Sequence, residues 1–113
     1  MNSREIAEAI SAGLNSLASI VQYGPAPEAE ETALSISALR RMEDALDALD
    51  LGLRDGTFYG PVRAALPGEA SSVRAVRQAL EATGLEGERG SVAPLAEQCL
   101  LHFMELFDQK PRT

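Results

Sequence analysis

The residues with the most chemical potential in this chain are a thiol and an imidazole one helical turn apart, Cys99-x-x-His102, its single Cys and single His. Nucleophilic catalysis would need that pair in mutual reach, a third group to orient the base and an oxyanion hole. No Gly-rich nucleophile turn accompanies them, and Cys99 falls on an apolar stripe, where a thiolate is disfavoured. A Cys₂His₂ metal site would need two copies of the chain. The expectation is a buried thiol beside a boundary imidazole, with no catalytic residue, no metal and no cofactor. No phosphate loop, dinucleotide fingerprint or pocketed carboxylate pair is visible either.

The acidic residues are unevenly placed. Residues 28–55 hold eight acids and three bases, which is −5 of the chain's −7. At about 100° per residue, Glu43, Asp44, Asp47 and Asp50 share one side of a helix, opposite a seam of Leu39, Met42, Leu46, Leu49 and Leu53. Like charges four apart cost a few tenths of a kcal/mol each, which Arg40 and Arg54 are expected to offset by local pairing with Glu43, Asp44 and Asp50. The bland outcome is a solvated outer face; the sharper one is a surface that docks on a basic partner. Ile36 and Leu51 bracket the row as possible apolar anchors. The spacing is not that of a calcium loop.

Arg74, Arg77 and Gln78, with Arg63 nearby, have the look of a recognition helix. Residues 63–89 carry four Arg against four Glu, however, too little positive charge for a duplex footprint. A small acidic helical chain with one His is also similar to histidine phosphotransfer domains. Those carry a His-x-x-Lys-Gly-like segment with an exposed ring. Here His102-Phe103-Met104-Glu105-Leu106 has neither Lys nor Gly, so the similarity stops at size and helicity.

The clearest anomaly is Cys99-Leu100-Leu101-His102-Phe103-Met104-Glu105-Leu106-Phe107, apolar nearly all round. Leu101 projects about 180° from Val92, and Met104 about 120° away. Such a helix is either central or at an interface, and a small bundle has no fully central helix. Leu101 and Met104 are thus the expected anchors of a protein contact, unless residues 55–70 cover them.

The elements that must position these groups follow from composition and breakers. A chain of 113 residues, 45% hydrophobic but only 4% aromatic, is one domain and favours helix. Its net charge repels nucleic acid and anionic lipid. No apolar run reaches membrane-span length, and the Met-Asn-Ser-Arg-Glu start lacks a secretory pattern. A cytoplasmic location is therefore expected. Gly24-Pro25-Ala26-Pro27, Gly60-Pro61, Pro67-Gly68 and Gly84 to Gly90 divide residues 1–113 into helices over about 4–22, 28–53, 72–83 and 92–108. Asn2 or Ser3 caps the first. Its apolar stripe opposes an uncharged face of Ser11, Ala12, Asn15, Ser16 and Ser19, suited to close helix approach.

These readings converge on an all-α protein: an antiparallel four-helix bundle with a short capping segment between the second and third helices. The second helix would be about 39 Å long and the third only about 18 Å, so something must cover the far end of the second. The expected function is non-enzymatic protein binding or regulation, as a homodimer through Leu101 and Met104. Glu43, Asp47 and Asp50 would steer a basic partner, with no direct contact to nucleic acid or membrane. The alternative is an acidic inhibitor or immunity-type protein that blocks a nucleic-acid-handling enzyme by charge mimicry.

Overall fold

The computed structural model describes residues 2–24, 29–58, 66–82 and 92–108. Four helices account for nearly all of them: α1 (Ser3–Tyr23), α2 (Ala29–Arg54), α3 (Leu66–Ala82) and α4 (Val92–Asp108). There is no strand among the described residues. Each helix packs against two others in the cyclic order α1, α2, α3, α4, which is the cross-section of a four-helix bundle. Gly13, midway along α1, comes against Met42, midway along α2, and Ile6 and Ala9 cluster with Ala45.

Local chemistry explains the ends. Asn2 caps α1, its Oδ1 accepting the Glu5 N–H at 2.8 Å. Gly24 ends it with φ at 78°, a conformation that suits a residue without Cβ, and its N–H donates to Ile20 O at 2.8 Å. After α2, Asp55 Oδ1 accepts the Thr57 N–H at 2.9 Å and the Thr57 hydroxyl at 2.6 Å. Both donors favour the ionised carboxylate and hold the Asp55 pKa below its ordinary value. This turn folds the chain back, so that the Phe58 N–H donates to Gly52 O at 2.9 Å. The Phe58 ring then lies over Gly52, where any Cβ would collide with it.

The third helix departs from the sequence expectation. It starts at Leu66, not Ser72, so Pro67 and Gly68 lie in its first turn instead of closing a separate segment. A first-turn proline loses no hydrogen bond, because that N–H has no intrahelical acceptor. At 17 residues α3 is about 25 Å long, and the mismatch with α2 narrows. Of the expected capping segment, Phe58 does cover the α1–α2 end, half-buried against Leu49 and Ile6. Pro61 and Val62 lie outside the described residues.

All four helices feed one core, with Leu17, Met42, Val76 and Phe103 among its fully enclosed members. A smaller cluster of Ile6, Ala9 and Ala45 sits on the α1–α2 side. Gly13 sets the distance between those two helices: a Cβ there would run into the Met42 side chain, including its Cβ at 2.8 Å. Alanine at 13 gains about 1 kcal/mol of helix propensity but costs about 1–3 kcal/mol of overpacking. Met42 Cβ is fixed to α2 and cannot swing aside, so the cost prevails. Urea denaturation of Gly13→Ala is expected to show a net loss, and of Gly13→Val a larger one. A stabilised Gly13→Ala would mean that the helices separate freely.

Candidate functional site

The outer side of α4 carries the first candidate. Cys99 and Phe103 face the core at 0% and 2% exposure, whereas Leu101 and Met104 stand out at 50% and 61%. No described residue covers this pair. Glu97, Gln98, His102 and Glu105 surround it and are exposed. On α1, which packs directly against α4, Ser11, Ala12, Asn15 and Ser19 are exposed and Ser16 half-buried.

The acidic side of α2 differs from expectation. Glu43 is 7% exposed, not an open carboxylate. Arg74 Nε donates to its Oε1 at 3.2 Å, and Arg77 donates to both of its oxygens. Arg77 also donates to Glu81 Oε1 at 3.0 Å, which accepts from Arg40 Nη2 at 2.8 Å. This chain of charges staples α2 to α3. It raises the Arg77 pKa through Glu43 and lowers that of Glu81 through Arg40 and Arg77. Arg40 therefore bonds across the interface, not to Glu43 or Asp44 as its spacing suggested. Arg74 and Arg77, the would-be recognition residues, engage carboxylates here; Arg63 lies outside the described residues.

Asp50 is half-buried and pairs with Arg54 at 3.0 Å. Ile36 is half-buried and packs against the main core. A helix inside a square bundle touches two neighbours, so its contact arc is wider than one apolar stripe. That arc takes in Glu43 and Ile36 on the α3 side. Asp44, Asp47 and Leu51 are exposed, Leu51 at 65%. Of the expected site residues, Leu101, Met104, Leu51 and Asp47 are exposed, Ile36 and Asp50 are half-buried, and Glu43 is buried. A polar groove of about 470 Å³ remains between Arg40, Glu43, Asp44, Asp47, Arg74 and Arg77. A second, apolar opening of about 520 Å³ lies between Ile6, Ile10, Leu14, Leu49 and Phe58.

The Cys99 and His102 side chains part company. Cys99 is enclosed, and burial, with the nearby Glu69 charge, pushes its thiol up to about 12. At neutral pH almost none of it is thiolate. His102 is exposed, its Nδ1 3.1 Å from Ser72 Oγ. Among the described residues no three His, Cys, Asp or Glu side chains gather closely enough to hold a metal ion. Iodoacetamide is expected to label native Cys99 far more slowly than the unfolded chain. Equal rates would contradict this burial. Also among the described residues, no helix is long and apolar enough to cross a membrane.

No protein-family model, curated protein or solved structure matches the chain.

Proposed function

We propose that this protein is a non-enzymatic, protein-binding helical bundle that pairs with a second copy of itself through the outer side of α4. The observation that carries this reading is the exposure of Leu101 and Met104, 50% and 61%, on a helix whose opposite side is core. An apolar pair three positions apart is self-complementary about a two-fold axis, each Leu101 meeting the other copy's Met104. Charge bears on where a second copy could sit. Two chains of net charge −7 repel each other, and association is least opposed where both surfaces lack charge. The Ser11, Ala12, Asn15 and Ser19 face of α1 is such a surface and adjoins α4. A specific interface takes about 800 Å² from each partner, more than two side chains provide, so the α1 face belongs to the same contact.

The charge-mimic alternative has less support, because Glu43 and Asp50 are already paired within the chain. Asp44 and Asp47 alone leave a sparse acidic rim. A cytoplasmic location is part of the proposal and is tested by cell fractionation. Light scattering across a concentration series tests the pairing itself. It is expected to give twice the 12.0 kDa of one chain. A monomer at every concentration rejects it.

A further inference from the structure

A carboxylate that no part of the docking proposal uses lies at the joint between α3 and α4. Glu69, in the first turn of α3, is 8% exposed, and its Oε2 is buried with no hydrogen-bond partner among the described residues. A buried acceptor left unpaired is costly, and more so when charged. The groups that act on it come from α4: His102 favours its charge, while Glu105 opposes it. Cys99 feels the Glu69 charge in return. The Ser72 Oγ to His102 Nδ1 approach of 3.1 Å ties the same two helices one turn further along α3. On the other flank of α3, Asp44 and Asp47 of α2 are exposed beside Arg74 and Arg77, and three further charged groups of α2 are paired. Glu43 is held by Arg74 and Arg77, Arg40 by Glu81, and Asp50 by Arg54 through Oδ2.

We propose that Glu69, His102 and Glu105 form a proton-linked latch between the start of α3 and the second half of α4, tightest when Glu69 carries a proton. Protonation removes the unpaired buried charge and its repulsion with Glu105. Burial is the larger influence and raises the Glu69 pKa above its ordinary value; the helix N-terminus and His102 pull the other way. A group whose folded pKa is raised binds its proton more tightly in the folded state. Its contribution is complete below the ordinary carboxylate value and is lost as pH rises through the raised one.

Two measurements test the latch. Chemical denaturation of the wild type and Glu69→Gln, from about pH 4 to about pH 7, isolates this one group. The wild-type folding constant is expected to fall relative to that of the variant, by at most about tenfold per pH unit because one proton is exchanged. Parallel curves overturn the proposal. Carbon-13 NMR of the wild-type Glu69 carboxyl reads the same proton without that variant. Its midpoint is expected above those of the exposed carboxylates, moving down in Glu105→Gln and up in His102→Gln. A Glu69 that titrates with the exposed carboxylates, indifferent to both changes, also overturns it.

Discussion

The paired substitution Leu101→Glu with Met104→Glu is expected to convert the proposed dimer to monomers while leaving the helical circular dichroism unchanged. Both side chains are at least half exposed, so the change removes no core contact. In a two-fold interface each substitution occurs twice, which places four carboxylates in the middle of the contact. Like-charge juxtaposition in an interface costs several kcal/mol, and every 1.4 kcal/mol is tenfold in the dissociation constant. A weakening of more than about a thousandfold is the expected scale. Sedimentation equilibrium reads the effect directly. Should the double variant remain as dimeric as the wild type, α4 is not the joining surface. Raised salt separates the alternatives further: an apolar contact between acidic chains holds or tightens, whereas docking on a basic partner weakens.

The second large effect concerns Arg77. Its side chain is 16% exposed and that of Glu43 only 9%, so this is an enclosed ion pair, not a surface one. Removing one member of such a pair strands the other: up to about 3–5 kcal/mol for full burial. Arg74, half-exposed at 50%, remains to hold Glu43, so Arg77→Met is expected to lose about 2 kcal/mol, less than that limit. Glu43→Leu combined with Arg77→Met removes both charges and is expected to recover most of the loss. Urea denaturation of the single and double variants makes the comparison. An unaffected Arg77→Met, with no coupling in the cycle, would show that the staple contributes specificity at most.

These residues also mark what the chain's letters disclose and what they conceal. Helix-spaced apolar stripes and the Gly and Pro punctuation carry the four helices, and the bounds of α1, α2 and α4 lie within one residue of those expected. The start of α3 was hidden because Pro67-Gly68 resembles a stop. The same first-turn tolerance that admits Pro94 in α4 admits Pro67 here. Leu101 and Met104 were legible because they violate the one-sided pattern of their own helix. Glu43 was not, since its partners lie 31 and 34 positions away. A single-helix projection sees local neighbours only. The signal available was Arg74 and Arg77, spaced by one turn on an element with no acid at i ± 4 of Arg74. Glu69 was masked by its place between the apparent stop at Pro67-Gly68 and the expected helix start at Ser72.

The small cluster beneath Phe58 has a consequence for how the chain reaches this arrangement. Among the described residues, the hydrophobic members of this cluster all come from α1, α2 and the reversed turn. Contacts within adjoining elements close short loops and form quickly. The contacts between α1 and α2 are therefore expected to form ahead of those that bring in α3 and α4. Native-state hydrogen exchange is expected to begin at amides of the half that carries the latch and the outward Leu and Met.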